Sequence, residues 1–243
     1  MRIVTWNVNS VCARLERVLA LLQRHRPDLV CLQETKSVDE GFPRRAMEEL
    51  GYQVHAYGQK TYNGVALLSR QPLREERRGF DGDPVPHEAR VISAQLTAGE
   101  LDVINLYVVN GQTLGSEKYA LKLRWLDALV DWISRTQDPA RPRLVVGDFN
   151  IAPADIDVHA PELWHDRLLV SAPERARLQR LLDWGLVDLQ SSRWLHSLQH
   201  PPRRPSMPSL TSQGTISSAA SGSAHHQPRA ALAARPSSRV SER

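Results

Sequence analysis

The sequence predicts a mixed α/β domain over residues 1–189, followed by a low-complexity tail over residues 190–243. Apolar runs of strand length and longer segments with apolar residues at helical spacing occur together in the first part. Neither the apolar runs nor the helical spacing continues after Leu189. Residues 190–243 contain 13 Ser and 6 Pro, a composition typical of disorder. With 243 residues and 41% hydrophobic content, the chain can form one large domain or two small ones.

The first seventy residues are predicted to alternate between strands and helices. The apolar run at residues 29–32 has no polar break, which is typical of a strand covered on both faces. Apolar residues at helical spacing give residues 14–23 one hydrophobic face, and Gly51 caps a helix at 43–50. The predicted strands here are 2–8, 29–32, 52–57 and 64–69, and the predicted helices are 14–23 and 43–50.

The next region begins with a polar segment, residues 74–87, that is rich in Gly and Pro and is predicted to be a loop. Alternating patterns on either side of a turn at 98–100 predict two paired strands. A long helix with Trp125 and Trp132 on its inner face follows, and residues 155–165 are predicted to be a long loop. The predicted strands are 90–96, 101–108, 144–146 and 185–189, and the predicted helices are 116–135 and 173–184.

Charge and cysteine content give no evidence for a basic nucleic-acid-binding domain, a disulfide-stabilised fold or a zinc site. The sequence pI is about 9.3, but the tail carries seven Arg and one acid, Glu242. Residues 1–189 carry 24 basic and 26 acidic residues, so the overall pI does not by itself indicate nucleic-acid binding. Cys12 and Cys31 offer neither a disulfide framework nor zinc-ligand spacing. We expect a cytoplasmic protein without a leader or membrane span.

The segment around Asp148 and Asn150 is the first candidate site. The apolar run 144–146 stops at Gly147, and Asp148 and Asn150 then lie two residues apart, which places them on one side of a strand. A carboxylate and an amide at a strand end can bind a hard cation and orient a water. The same residue types also favour an ordinary turn.

Other predicted strands also end in polar side chains. Asn7 ends the first strand, Glu34 the second and Tyr107 a later one. Each has a simpler explanation, since Asn7 can be a turn residue, Glu34 a solvated charge and Tyr107 a core tyrosine. Because strand ends at one edge of a sheet often form a site, their joint occurrence favours a functional cluster.

Five motifs carry a resemblance to a known family, and a sixth stretch before the tail adds to it. In this order and spacing, the chain resembles the exonuclease III branch of the endonuclease/exonuclease/phosphatase superfamily over residues 1–189. The LQETK, GDFN and NLYVVNG motifs point to the DNA-repair branch. The motifs are TWNVNS, LQETK, GVALLSR, NLYVVNG and VVGDFNIAP, with GLVDL as the later stretch.

The resemblance implies a fold and an activity. The fold is a four-layer αββα sandwich of the deoxyribonuclease I type, with two mostly antiparallel sheets packed face to face and helices outside. The activity is hydrolysis of DNA phosphodiesters at abasic sites and from 3′ ends of double-stranded DNA, with Mg²⁺ or Mn²⁺ as cofactor. We expect a monomer that acts on DNA and does not bind a membrane.

The resemblance also implies roles for single residues. Glu34 and Asn7 would bind the metal, with Asp148 and Asn150 contributing to the same site. Asp148 would position or deprotonate the attacking water, while Asn150 would stabilise negative charge on phosphorus. The remaining assignments are Tyr107 as a catalytic residue against the phosphate or water, and Arg90 and Asn110 as substrate-binding residues.

The C-terminal part departs from the family. Val109 stands where the family usually has proline, so the loop after Tyr107 is less restricted. A strand bearing an Asp and a final Ser-Asp-His motif are both missing from the sequence. We therefore expect a sandwich that lacks its last strands, leaving open edges, and an activity lowered by orders of magnitude.

An alternative reading frame can account for the tail. Codons for Thr215–Ser221 can, one base out of phase, encode Asp-Tyr-Gln-Gln-Arg-Gly-Phe, which resembles the family's segment after its tryptophan pair. We hypothesise a frameshift near residue 190, in the gene or in its reading. Resequencing the coding DNA tests this, since a clean frame with no alternative carrying Ser-Asp-His contradicts it.

Two other functions stay open at the level of the sequence. One is a phosphodiesterase of the same superfamily that acts on RNA or a small phosphate ester. The other is a non-catalytic DNA-binding remnant that keeps the scaffold alone, which the missing Ser-Asp-His motif favours.

Overall fold

The computed structural model describes residues 1–97, 100–159, 161–164, 167–189 and 230–234. The helices in this part of the chain are α1 (Leu15–His25), α2 (Arg44–Glu48), α3 (Glu117–Thr136), α4 (Pro161–Trp164) and α5 (Ala172–Asp183). The strands are β1 (Ile3–Asn7), β2 (Leu29–Gln33), β3 (Gln53–Tyr57), β4 (Val65–Ser69), β5 (Leu73–Arg78), β6 (Val91–Leu96), β7 (Leu101–Tyr107), β8 (Arg143–Asp148), β9 (Leu186–Asp188) and β10 (Ala230–Ala234).

The described strands form two sheets. The first sheet has the order β1-β2-β4-β3, and the second has the order β5-β6-β7-β8-β10-β9. Pairing is antiparallel except for β1 with β2 and β7 with β8, which run parallel. The mixed α/β fold predicted from the sequence pattern and the two mostly antiparallel sheets implied by the family resemblance are both confirmed.

Three apolar clusters define the layers. Leu29, Cys31 and Leu67 of the first sheet meet Val103 and Val146 of the second in a core between the sheets. A second cluster covers the outer face of the first sheet with α1 and α2, and a third covers the second sheet with α3 and α5. Both faces of β2 and β4 are covered, one by the core between the sheets and the other by the helices. Since alternate residues of a strand face opposite sides, every residue of these strands is buried, and their sequences are almost entirely apolar.

Two segments predicted to be loops contain regular structure. Leu73–Arg78 forms β5 at the edge of the second sheet, although the sequence assigned residues 74–87 to a loop. Its charged residues hide the strand pattern, and Glu75 has a positive φ of 54° where the pairing with β6 is irregular. Charges and irregular pairing are common protections of an edge strand. In the other loop, Asp155–Asp157 forms a 3-10 turn and Pro161–Trp164 forms α4.

The predicted tail contributes one strand to the second sheet. Ala230–Ala234 forms β10, which lies antiparallel between β8 and β9. This differs from the expectation of a sheet without its last strands. The backbone N–H and C=O groups on the facing edges of β8 and β9 need hydrogen-bond partners, and β10 supplies them. The sequence hides this strand because alanine is not a strand former and the segment does not alternate. The other tail residues, and the disorder predicted for them, lie outside the described residues.

The lengths and compositions of the helices bear on whether the chain could span a membrane. In the part of the chain that the structure describes, no helix combines the length and the apolarity needed to cross a bilayer.

Candidate active site

The candidate site lies where the two parallel strand pairs end. Asn7 of β1 pairs with Gln33 of β2 in the first sheet, and Tyr107 of β7 pairs with Asp148 of β8 in the second. Parallel strands have their carboxyl ends at the same edge, and the two sheets face each other. The polar residues that end these strands therefore meet at one end of the sandwich.

Asn7 bridges two carboxylates that belong to different sheets. Its Nδ2 donates one hydrogen bond of 2.8 Å to Oε1 of Glu34 and another of 2.8 Å to Oδ2 of Asp148. Asp148 is completely buried, and Glu34 is only 9% exposed. Each carboxylate therefore depends on protein donors instead of bulk water for its hydrogen bonds.

The backbone at Glu34 turns sharply out of β2. Glu34 has a positive φ of 51°, and its carbonyl oxygen accepts a hydrogen bond of 2.7 Å from the amide of Ser10. Its Oε2 pairs with Nζ of Lys36 at 3.1 Å. Burial raises the pKa of Glu34, but hydrogen bonds from Asn7, Lys36 and Tyr107 lower it by more, so the pKa falls below its ordinary value. Glu34 is therefore ionised at neutral pH and able to bind a cation.

Tyr107 is held between Glu34 and Arg90. Burial raises the pKa of the Tyr107 phenol, and the nearby carboxylates of Glu34 and Asp148 raise it further. The phenol consequently keeps its proton and donates a hydrogen bond to Glu34. The guanidinium carbon of Arg90 lies 5.1 Å from the centre of the Tyr107 ring, and its Nη1 donates to the Tyr107 carbonyl oxygen at 3.1 Å.

Gly147 allows β8 to approach β7 just before Asp148. A Cβ atom at this position would lie 1.9 Å from the carbonyl oxygen of Leu106, and the φ of Gly147 is 149°. Phe149 is buried in the apolar core beneath α3. Asp148 and Asn150 are both fully buried, and the backbone N–H of Asn150 donates a hydrogen bond of 3.0 Å to Oδ1 of Asp148.

The Asn150 side chain joins the site to the loop after β7. Its Nδ2 donates to the carbonyl oxygen of Val108 at 2.9 Å, and its Oδ1 accepts a hydrogen bond of 3.3 Å from Nδ2 of Asn110. Asn110 is exposed, which suits a residue that contacts a ligand. All the site residues predicted from the sequence thus lie in one connected group, namely Asn7, Glu34, Arg90, Tyr107, Asn110, Asp148 and Asn150.

Sequence reasoning missed a buried ion pair directly behind this group. Lys122 of α3 and Glu174 of α5 are completely buried and pair with each other, and Lys122 also contacts the Asn150 backbone. A signal was available, because Lys122 lies three residues before Trp125 and therefore on the inner face of its helix. A second signal was the Ser171-x-x-Glu174 spacing at the start of α5, which is typical of a helix N-terminus.

The donor set suits a hard divalent cation bound partly through water. In the described residues, no group of three or more His, Cys, Asp and Glu side chains could hold a metal ion. The site offers two carboxylates, Glu34 and Asp148, and the amide oxygen of Asn7. Mg²⁺ commonly uses one or two carboxylates and keeps several waters, so these residues fit such an ion.

Comparisons with known proteins show what this chain is similar to. The profile of the endonuclease/exonuclease/phosphatase family matches residues 4–216. Exodeoxyribonuclease III of Haemophilus influenzae is 36% identical over 197 residues, which cover 77% of this chain and 74% of that protein.

Solved structures extend the comparison to the fold. The 3′-5′ exonuclease NExo of Neisseria meningitidis superposes with a TM-score of 0.73 and 42% identity, covering 77% of this chain and 73% of that one. An AP endonuclease from Archaeoglobus fulgidus superposes with a TM-score of 0.79 and 32% identity, covering 96% and 87%.

Proposed function

The chain belongs to the endonuclease/exonuclease/phosphatase family, and on that premise we propose that it is a DNA-repair nuclease of the exonuclease III type. Its substrate would be double-stranded DNA, cut at abasic sites and from 3′ ends. The hydrogen bonds from Asn7 to both Glu34 and Asp148 carry the proposal, since they place two carboxylates of different sheets around one point.

Each side chain then has a chemical task in phosphodiester hydrolysis. Asp148 accepts the proton of the attacking water, and Asn150 donates the Nδ2 hydrogen that is not bonded to Val108 to a phosphate oxygen as charge develops there. Tyr107 keeps its proton and orients the phosphate or the water, while Arg90 and Asn110 bind the DNA.

A divalent cation completes this arrangement. The family is divalent-metal dependent, and we propose Mg²⁺ or Mn²⁺ for this chain, held by Glu34 and Asn7 beside Asp148 and Asn150. When bound, such an ion neutralises phosphate charge and lowers the barrier to attack by water. The lowered pKa of Glu34 supports this role, because a metal ligand has to be deprotonated.

A nuclease assay with purified full-length chain tests the proposal. The substrates are a duplex with a recessed 3′ end, a duplex with an abasic-site analogue, single-stranded RNA and a soluble phosphate ester, each with Mg²⁺ or with EDTA. We expect Mg²⁺-dependent cleavage of the two duplexes and a loss of at least about 100-fold in Asp148→Asn. Equal cleavage by wild type and Asp148→Asn contradicts the proposal, and preference for RNA or the small ester supports the alternative phosphodiesterase.

The missing Ser-Asp-His motif favours a second candidate function. A chain without this His and Asp could bind DNA through the same scaffold and cut it slowly or not at all. We expect turnover well below that of the Haemophilus influenzae relative when both are assayed together. Duplex binding without cleavage identifies the non-catalytic alternative, whereas turnover equal to that of the relative refutes the predicted impairment.

A further inference from the structure

Lys122 is a lysine whose whole side chain is buried in the core between α3 and the candidate site. Its Nζ donates a hydrogen bond of 2.6 Å to the backbone carbonyl oxygen of Asn150 and pairs with Oε1 of Glu174. Fully buried lysines are rare in proteins unless they are paired. The pair therefore connects two outer helices with the catalytic end of β8.

Glu174 is held firmly by the first turn of α5. Its Oε2 accepts hydrogen bonds from the Ser171 amide at 3.1 Å and from the Ser171 hydroxyl at 2.6 Å. Its Oε1 accepts from the amide of Leu169 at 3.2 Å as well as from Lys122. A carboxylate bound at both oxygens has little freedom, so the ammonium of Lys122 is also held in one place.

The backbone of Asn150 needs such support. Asn150 has a positive φ of 49°, a conformation that asparagine adopts more readily than most residues but that still costs some free energy. Its backbone N–H donates to the Asp148 carboxylate, its side-chain nitrogen donates to the Val108 carbonyl oxygen, and its side-chain oxygen accepts a hydrogen bond from Asn110. The bond from Lys122 fixes the remaining polar group, the carbonyl oxygen, and so completes the restraint on this residue.

Stability by itself does not account for the two charges. Burial lowers the pKa of Lys122, and the carboxylates of Glu174 and Asp148 only counteract that effect. An apolar pair of similar size is often as stable as a buried ion pair or more stable. The feature that an apolar pair cannot reproduce is the hydrogen bond to the Asn150 carbonyl oxygen.

We propose that Lys122 and Glu174 are positioning residues, which hold the Asn150 backbone so that the Asn150 and Asp148 side chains lie correctly against the scissile phosphate. This inference deepens the proposed nuclease function and rests on it for its catalytic consequence. A displacement of about 1 Å at a reacting group can cost about 100-fold in rate. The restraint on the backbone is a property of the free protein and can be measured without substrate.

Two variants separate positioning from stability. Lys122→Met removes the bond to Asn150 but leaves Glu174 as an unpaired buried charge, so its thermal midpoint falls. Lys122→Met/Glu174→Gln removes both charges, and we expect its midpoint to return toward wild type. In both variants we expect kcat on duplex DNA to fall about tenfold or more, while KM changes less than about twofold.

Amide hydrogen exchange provides the readout that does not require activity. We expect exchange at the Asn150 amide to be about tenfold faster in both variants, because the loop opens locally more often. The matched control is Arg143→Met/Asp102→Asn, which removes a pair formed by buried Arg143 and half-buried Asp102, joined at 2.8 Å at the other end of β8. This control should change stability without changing exchange at Asn150 or kcat.

The outcomes are distinct. If kcat recovers together with the thermal midpoint in the double variant, or if exchange at Asn150 stays at the wild-type rate, the positioning role is wrong. If the wild-type chain cuts no DNA, the proposed function fails, and the exchange measurement still decides whether the ion pair restrains Asn150.

Discussion

Gln33 and Asn105 join the two sheets by a side-chain hydrogen bond across the middle of the sandwich. Nε2 of Gln33 in β2 lies 2.7 Å from Oδ1 of Asn105 in β7, and both residues are fully buried. Asn105 also donates to the carbonyl oxygens of Leu32 and Ala66, each at 3.0 Å. Gln33 precedes Glu34, so this contact links the strands that carry Glu34 and Tyr107.

Replacement of Asn105 tests the strength of that link. Asn105→Leu removes three buried hydrogen bonds, namely the one from Gln33 and the two to the carbonyl oxygens of Leu32 and Ala66, while Gln33 Nε2 still donates to Thr5 and Cys31. The expected loss in the free energy of unfolding is about 1–3 kcal/mol, measured by urea denaturation. The control is Gln95→Leu, whose partner Asp102 is partly exposed, and it should change stability by less than about 0.5 kcal/mol. Equal effects of the two variants would show that the contact between the sheets adds nothing.

Replacement of Asn7 tests the bridge between the carboxylates. In Asn7→Ala, Glu34 and Asp148 lose a shared donor and their spacing is no longer fixed. We expect about 10–100-fold more Mg²⁺ to be needed for half-maximal cleavage, as is usual when a group that orients metal ligands is removed. A Mg²⁺ titration of cleavage measures this, and a requirement equal to that of wild type means that Asn7 neither binds nor orients the ion.

Replacement of Gly147 tests the close approach of β7 and β8. The Cβ of Gly147→Ala would clash with the Leu106 carbonyl oxygen, which belongs to backbone and cannot rotate away. The expected destabilisation is about 3 kcal/mol or more, measured by thermal or urea unfolding. Gly82→Ala is the matched control, because Gly82 has a φ of 90° but no atom within 4 Å of its would-be Cβ. It should cost only about 1–2 kcal/mol of backbone strain, and a similar cost at Gly147 would contradict the steric argument.

A pH dependence of stability is expected from Glu76, which links the edge strand β5 to β3. Burial raises the pKa of Glu76, but hydrogen bonds from His55 and Arg78 lower it by more, so it lies below the ordinary 4.5. A carboxyl with a lowered pKa in the folded state stabilises the protein above its unfolded pKa. That contribution is lost as the pH falls from 4.5 through the folded pKa.

The variant Glu76→Gln isolates this contribution from that of the other carboxyls. The difference in unfolding free energy between wild type and Glu76→Gln should be larger at about pH 6 than at about pH 3. Urea unfolding at both pH values measures it. A difference that does not change with pH would show that Glu76 is not stabilised in its ionised form.

Local sequence patterns predicted most of the elements and the strand-end members of the candidate site, whereas Arg90 and Asn110 were assigned only through the family resemblance. The apolar run of β2 and the helical spacing of α3 are properties of adjacent residues, so they are visible in one dimension. The convergence of Asn7, Glu34 and Asp148 also followed, because a polar residue after a buried strand marks the edge of a sheet. Where a charged edge strand such as β5 has no apolar alternation, the same reasoning failed.

The sequence by itself determined which residues end the strands and which faces of the helices are apolar. Only the tertiary structure decided that Lys122 reaches Asn150, that Gln33 meets Asn105 across the core and that Ala230–Ala234 pairs between β8 and β9. Periodicity depends on neighbours along the chain, whereas these contacts join residues far apart in sequence. They form because buried polar groups and open strand edges have to find partners once the apolar faces have packed.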